Sequence, residues 1–186
     1  MPSSPSWDDL YTTASTQAGH FTTAQAQAAG YSPQLLHKYL ANGKVRRIRR
    51  GVYRLVHFPP GDDEDLVVLW LWSEQEGVFS HETALARHDL SDALPATAEM
   101  TVPRAWQTRR LRVPEGLELH FDDIAEPDRT WHGPVPITTP ARTLRDCAQV
   151  GVSRELIDQA VAAGGHGGLL TDEDVARVRE LLERQS

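Results

Sequence analysis

The chain has 186 residues, of which 40% are hydrophobic and 24% charged, a composition typical of a folded water-soluble protein of one or two domains. Its longest apolar run, Leu66 to Trp72, is much shorter than the roughly 20 residues that cross a bilayer, so no membrane partner is expected. A single cysteine, Cys147, excludes an internal disulfide framework and a multi-cysteine zinc cage. No secretion signal is recognised at the start, so we expect a cytoplasmic location.

Charge is distributed very unevenly along the chain. Residues 1–61 contain seven basic and two acidic groups and have a net charge of +5, whereas the remainder has a net charge of −12. Between Asp9 and Asp62 there is no acidic residue. Such an asymmetry indicates a nucleic-acid-binding end joined to an acidic body.

Helical spacing and capping residues predict three helices in the first 42 residues. The first covers about Trp7–Gln17. Thr22 begins a capping-box pattern ahead of a short alanine-rich helix, which Gly30 ends. Ser32 is the predicted cap of a third helix that ends at Ala41. The second and third helices, with a short glycine-containing connection, form a candidate helix-turn-helix.

The third predicted helix has two chemically different faces. One face is apolar and should pack inward: Leu35, Leu36, Tyr39 and Leu40. The other has no acid and would suit the major groove of DNA: Gln34, His37, Lys38 and Ala41. An ordinary solvated helix face would have the same pattern, so this helix alone does not decide between the two interpretations.

A basic hairpin is predicted directly after this helix. Two short β-type runs, 45–48 and 52–55, flank the turn Arg49-Arg50-Gly51. A helix-turn-helix followed by such a hairpin is a winged helix, whose arginines can hold phosphates or enter the minor groove. A solvated, aggregation-resistant strand edge is the alternative. The predicted DNA contacts are Ser32, Gln34, His37, Lys38, Lys44, Arg46, Arg47, Arg49, Arg50 and Arg54.

The acidic part predicts a mixed set of helices and strands. The four consecutive acids 62–65 favour the start of an apolar helix rather than a metal site, although a strand over 66–72 is possible. The other predicted segments are a helix from the Ser80 cap to His88, strands over 99–103, 117–121 and 135–138, a helix over 139–150, a helix from the Ser153 cap to about Ala163, a flexible break at 164–168 and a last helix over 172–184.

No catalytic, metal or cofactor site is predicted in the acidic part. His81 and His88 are seven residues apart rather than the three or four usual for a zinc pair on a helix. Adjacent residues such as Ser80, His81 and Glu82 cannot form a catalytic triad. Cys147 is expected to be a small buried residue. A basic cluster at Arg104, Arg109, Arg110 and Arg112 could extend a DNA surface, contact a partner or be a solvated loop.

Three blocks of sequence resemble the AbiEi-type antitoxins of type IV abortive-infection toxin–antitoxin systems. The first comprises 19–26, 29–32 and 43–54, which includes Arg49-Arg50-Gly51-Val52-Tyr53. The second comprises 79–86, 88–90 and 93–95, and the third is 136–146 with Thr139-Pro140-Ala141-Arg142-Thr143-Leu144. The resemblance runs from about residue 18 to 165. Longer members of the family have an added nuclease-like domain, for which we expect no room in this chain.

The resemblance implies an antitoxin that binds double-stranded operator DNA, represses its own operon and counteracts a cognate nucleotidyltransferase-like toxin, directly or indirectly. We therefore expect an α+β protein, with a winged helix-turn-helix domain at 1–60 and a mixed α/β effector domain at 61–186. A stand-alone regulator with a sensing or oligomerisation domain is the alternative. A nuclease is disfavoured, because no lysine follows Lys44 to complete a motif begun by Glu126-Pro127-Asp128.

Overall fold

The computed structural model describes residues 4–184, which divide into two compact units. The first unit runs to Gln75 and includes Gly133–Val135. The second consists of Glu76–His132 and the chain from Pro136 onward. The first unit thus contains the apolar helix that begins within the acids 62–65, which was predicted to belong to the second domain. The division of functions between 1–60 and 61–186 stays a prediction.

The first unit has the predicted order of helices and hairpin strands, with one additional short strand. Its elements are α1 (Trp7–Ser15), β1 (His20–Thr22), α2 (Thr23–Ala28), α3 (Pro33–Ala41), β2 (Val45–Arg49), β3 (Val52–Leu55) and α4 (Glu64–Trp72). The predicted winged helix-turn-helix is confirmed. The strand at 20–22 was not predicted, because three residues are too few to show a period of two.

Local hydrogen bonds explain where α2 and α3 begin. The Thr22 hydroxyl accepts from the Gln25 backbone N–H at 3.1 Å, while the Gln25 side chain accepts from the Thr22 N–H at 2.8 Å. This reciprocal pair is the predicted capping box. The Ser32 hydroxyl accepts from the Leu35 N–H at 3.2 Å, and Pro33 occupies the first helical turn, where its missing N–H costs nothing.

An antiparallel three-stranded sheet of order β1-β3-β2 forms the wing of the first unit. Phe21 pairs with Tyr53, and Val45 pairs with Leu55. The register of β2 on β3 shifts between Arg47 and Arg49. Such an irregularity increases the local twist of a hairpin and re-aims the side chains that follow.

Aromatic and aliphatic side chains from every element up to β3 fill the core of the first unit. The core includes Leu10, Phe21, Tyr31 and Leu36, all at most 4% exposed. Tyr39 joins this core to the outer surface, because it packs edge-on against Tyr31 at a 5.3 Å centroid distance. Burial and the neighbouring Tyr39 raise the pKa of Tyr31 to about 12.

The second unit is built on a mixed five-stranded sheet of order β6-β5-β4-β8-β7. Strand β4 runs antiparallel to β5 and parallel to β8, and β5 runs parallel to β6. Two short 3-10 helices lie at Arg104–Thr108 and Glu126–Asp128. The other elements are β4 (Val78–Phe79), α5 (His81–Arg87), β5 (Ala98–Val102), β6 (Leu117–Phe121), β7 (Arg129–His132), β8 (Val135–Thr138), α6 (Pro140–Val150), α7 (Arg154–His166) and α8 (Asp172–Arg184).

Helices α5 to α8 share an apolar core. Leu85, Leu144, Ile157 and Val178 are fully buried in it. Cys147, also fully buried there, is the small core residue that its position predicts. Burial raises the pKa of its thiol far above the ordinary value.

Helix α7 continues through the glycines that the sequence analysis treated as a flexible break. It ends at His166 rather than near Ala163. A Cβ on Gly164 would lie 2.6 Å from a methyl carbon of Leu170, so the missing side chain allows Leu170 to pack against the helix. The prediction of a break was therefore wrong for Gly164 and Gly165, because tertiary packing outweighed their low helix propensity.

No helix within residues 4–184 combines the length and the apolarity that a bilayer crossing would need.

Candidate nucleic-acid interface

Helix α3 presents its polar face to solvent, as the spacing predicts. Gln34, His37 and Lys38 are exposed, whereas Leu36 on the other side is 4% exposed and packs in the core. Ser32 is also exposed, although its hydroxyl caps the helix. A single face thus carries amide, imidazole and ammonium groups that can hydrogen-bond base edges or phosphates.

The strand register divides the arginines of the hairpin between its two faces. Arg46 pairs with Arg54, and Arg47 pairs with Tyr53. Because successive side chains in a strand point to opposite faces, Arg46 shares a face with Arg54, while Arg47 lies on the other. Arg46 is exposed but lines a cleft that also contains acids from the segment 62–65.

Arg54 requires a correction, because its side chain is committed inside the first unit. It is 7% exposed, and its Nη2 and Nε donate to the Glu64 carboxylate at 2.7 and 2.9 Å. The Nη1 and Nη2 groups of Arg54 also donate to the backbone oxygens of Leu55, Phe58 and Pro59 at 3.0–3.3 Å. The guanidinium therefore joins the hairpin to the start of α4 and is withdrawn from the predicted DNA contacts.

A buried histidine lies beside this ion pair. His20 Nε2 is 3.9 Å from the Glu64 carboxylate. Burial lowers the pKa of His20, more than the nearby carboxylate raises it, so the ring is neutral at pH 7. The hydrogen bonds from Arg54 hold the pKa of Glu64 below its ordinary value of 4.5, against the opposing effect of desolvation.

The remaining basic residues of the hairpin lie at or near its tip. Arg50 is exposed in the turn, next to Gly51, whose φ of +81° is readily adopted by glycine. Arg49 is half-buried, and among residues 4–184 its Nη1 has no hydrogen-bond partner. Lys44 is exposed, and its ammonium lies 5.0 Å from the centre of the Tyr39 ring, a cation–π arrangement that orients the amine.

Together these groups define a surface that we call the basic face. Its members are the polar face of α3 and the cations around the hairpin: Ser32, Gln34, His37, Lys38, Lys44, Arg47, Arg49 and Arg50. No acidic residue lies in the chain between Asp9 and Asp62, so none interrupts α3 or the hairpin. Positive charge beside groups able to read bases is the combination that duplex DNA requires.

The basic cluster of the second unit is partly engaged within that unit. Arg104 forms an ion pair with Asp122 at 2.6 Å, and its backbone N–H donates to Asp123. The Arg109 guanidinium lies over the Trp106 ring at 4.3 Å. Arg110 and Arg112, which complete the cluster, are exposed.

His81, at the start of α5, and His88, just after its end, have different hydrogen-bond partners. His88 Nε2 lies 2.7 Å from the Thr138 carbonyl oxygen, whereas His81 Nδ1 lies 2.9 Å from the Ser80 hydroxyl. They do not form a pair, but His81 lies next to Glu99 and His120. The proximity of Glu99 and His120 was not predicted from the sequence, because only the parallel pairing of β5 with β6 brings them together.

The comparisons with known proteins agree with this architecture. A crystal structure of the RV2827C protein from Mycobacterium tuberculosis is similar at a TM-score of 0.54 and 14% identity, covering 94% of this chain and 74% of that one. At this identity the likeness concerns the fold alone. No curated protein sequence matches the chain. Residues 8–56, which contain α2, α3 and the hairpin, match the family described as "Transcriptional regulator, AbiEi antitoxin", and the resemblance to AbiEi-type antitoxins is thereby confirmed over that stretch.

Proposed function

We propose that the chain is a DNA-binding antitoxin that represses the operon encoding it and counteracts a cognate nucleotidyltransferase-like toxin. The observation that carries the DNA-binding part is the basic face, which lies on a winged helix whose α3 and hairpin contain no acidic residue. The match of residues 8–56 to antitoxin transcriptional regulators supports the same assignment. The toxin and the autorepression follow from the family resemblance.

Within this proposal the basic face divides into reading and positioning groups. Gln34 and Lys38 lie in the first two turns of α3, so they are assigned to base edges in the major groove. Arg47, Arg49 and Arg50 are assigned to phosphates or to the minor groove beside the wing. No catalytic group is assigned to this face, and a cytoplasmic location suits a protein that acts on an operator.

Binding of full-length protein to labelled duplexes tests the DNA-binding proposal. Fluorescence anisotropy would compare its own promoter region with a random duplex of equal length over a range of salt concentrations. Arg50→Ala should weaken binding to both duplexes and make the salt dependence shallower. Gln34→Ala should mainly reduce the preference for the promoter. Arg177→Ala is the matched control, since Arg177 is an exposed arginine on α8 of the second unit.

No binding to either duplex at low salt would refute the DNA-binding proposal. Equal losses on both duplexes for Gln34→Ala and Arg50→Ala would instead refute the assignment of α3 as the reading helix.

The antitoxin part requires a growth assay with the toxin gene adjacent to this one. Wild-type protein should relieve growth arrest when both are expressed from promoters that it does not regulate. Arg50→Ala should still protect while a reporter fused to the native promoter is derepressed. Failure of the wild-type protein to relieve growth arrest would favour a stand-alone regulator. If Arg50→Ala lost protection together with repression, antagonism of the toxin would depend on the basic face.

A further inference from the structure

Three residues that are far apart in the sequence converge at one end of the second unit. His81 begins α5, Glu99 lies on β5 and His120 lies on β6. Among the described residues, one potential ligand atom from each lies within 4.8 Å of the other two. We infer that this cluster, which we call the His–Glu–His cluster, is a binding site for a divalent transition-metal ion of the zinc type.

The pairing of β5 with β6 explains why Glu99 and His120 meet. The two strands are parallel, with Thr101 opposite His120 and Glu99 opposite Glu118. Glu99 and His120 are therefore diagonal neighbours on one face of the sheet, within reach of each other's long side chains. His120 Nε2 lies 3.1 Å from a carboxylate oxygen of Glu99.

Hydrogen bonds from neighbouring groups hold His81 and Glu99 in place. The Ser80 hydroxyl contacts His81 Nδ1 at 2.9 Å and the Thr101 hydroxyl at 2.8 Å, which leaves His81 Nε2 available. The second carboxylate oxygen of Glu99 accepts from the Glu82 backbone N–H at 2.8 Å. Outer partners of this kind orient ligands and are a regular part of protein metal sites.

The protonation states of His81 and Glu99 also suit coordination. Burial lowers the pKa of His81 to about 4, so its ring is neutral at pH 7. Burial acts to raise the pKa of Glu99, but hydrogen bonds from His120 and the Glu82 N–H outweigh it and keep the group ionised. Neutral imidazoles and a carboxylate are the forms in which these side chains bind metals.

The two imidazole rings stack with centroids 3.6 Å apart and planes inclined by 20°. An imidazole nitrogen usually binds a metal ion that lies in the plane of its own ring. A metal ion shared by the two histidines therefore requires one ring to tilt out of this stack. The His120 side chain is 20% exposed, whereas His81 is buried and has an unusual φ of +52°. Metal binding should therefore move His120 far more than His81.

A second observation points to a ligand at the same place. His81 and His120 line a pocket of about 410 Å³ together with Asp146. Asp146 is 4% exposed, and one of its carboxylate oxygens binds Arg142 while the other, Oδ2, has no partner among residues 4–184. Burial raises the pKa of Asp146, and a carboxyl oxygen is costly to leave unpaired in a buried position. The pocket gives a ligand access to His81 and His120.

The ligand set narrows the choice of ion. Two imidazoles with one carboxylate suit zinc and neighbouring first-row metals better than magnesium or calcium, which prefer oxygen ligands. Three protein ligands leave a coordination position for water or another ligand, and two of them, His81 and His120, line the pocket.

The test uses untagged full-length protein treated with a chelator and then dialysed. Isothermal titration with Zn²⁺ should give one site per chain, and Co²⁺ should give the visible absorption of a four- or five-coordinate complex. His120→Ala and Glu99→Gln should each weaken Zn²⁺ binding by about 10–100-fold. His166→Ala, at an exposed histidine of the same unit, should leave it unchanged.

Two further readouts keep the inference falsifiable if a variant folds poorly. Circular dichroism identifies misfolded variants, and NMR of the histidine ring nitrogens of wild-type protein should show His81 and His120 shifting on addition of Zn²⁺. The absence of a zinc titration in wild-type protein would overturn the inference. Binding that persists in both His120→Ala and Glu99→Gln would also overturn it, because the ion would then lie elsewhere.

Discussion

Replacing Glu64 with glutamine should destabilise the first unit strongly while keeping the shape of the side chain. The Arg54 side chain is 8% exposed, and Glu64 is its only carboxylate partner among the described residues. Removing one member of a fully buried ion pair costs about 3–5 kcal/mol. Because the Glu64 side chain is 23% exposed and water screens part of the interaction, we expect a loss of about 2–3 kcal/mol.

A loss of this size is readily measured. In a domain of 60–100 residues, 1 kcal/mol lowers Tm by about 4–8 °C, so Glu64→Gln should lower the Tm of the first unit by on the order of 10–20 °C. Urea denaturation of full-length protein, followed by tryptophan fluorescence and circular dichroism, gives the free energy of unfolding. Glu173→Gln is the control, since it removes an exposed pair with Arg177 and should cost at most about 1 kcal/mol.

The pH dependence provides an independent check on the same ion pair. The pKa of Glu64 is lower in the folded protein than its ordinary value of 4.5. Its contribution is therefore complete above the unfolded pKa and is lost as the pH falls through the folded pKa. The difference in stability between wild type and Glu64→Gln should shrink as the pH falls below about 4.5. A difference below about 0.5 kcal/mol at pH 7 would refute the reasoning.

Three further predictions concern packing and DNA binding. Gly164→Ala should destabilise the second unit by about 1–3 kcal/mol in thermal melts, because its Cβ would lie 2.6 Å from Leu170. The Cβ of Gly165→Ala would meet nothing within 4 Å, so this substitution should stabilise the unit by about 0.5–1 kcal/mol. Equal effects of the two substitutions would contradict this account. About five phosphate contacts should give a salt slope of roughly −4 to −5 in log–log anisotropy titrations, and a slope near zero would exclude a phosphate-based interface. Arg54→Met, measured under conditions in which the variant is folded, should keep the wild-type salt slope. Arg50→Ala should reduce the magnitude of the salt slope by about 1. A reduced salt slope for Arg54→Met would show that Arg54 does contact DNA.

Much of the local structure of the first unit was predictable from short-range signals. The capping box at Thr22 and the cap at Ser32 define helix starts through hydrogen bonds spanning three residues, and both are present as predicted. The turn at Gly51 likewise requires only its own backbone conformation. The outward face of α3 followed from helical periodicity, since Gln34 and Lys38 lie opposite the buried Leu36.

Features that depend on partners distant in the sequence were not predictable in the same way. Two-residue β4 and the short β7 have no period of their own and exist because the neighbouring strands pair with them. Gly164 disfavours a helix locally, but Leu170 packs where its side chain would be. In the sequence Arg54 resembles its exposed neighbours, and only the structure shows that it binds Glu64.

The sequence by itself determined the helix starts, the hairpin and the concentration of positive charge before residue 62, because capping, periodicity and composition are local properties. Only the tertiary structure decided which arginines of the hairpin face solvent, since strand register assigns each side chain to one face or the other. It also brought His81, Glu99 and His120 together, because the pairing of β5 with β4 and with β6 joins residues that no local pattern relates. The physical reason is that burial and ion pairing depend on contacts across the fold, whereas turns and caps depend on a few consecutive residues.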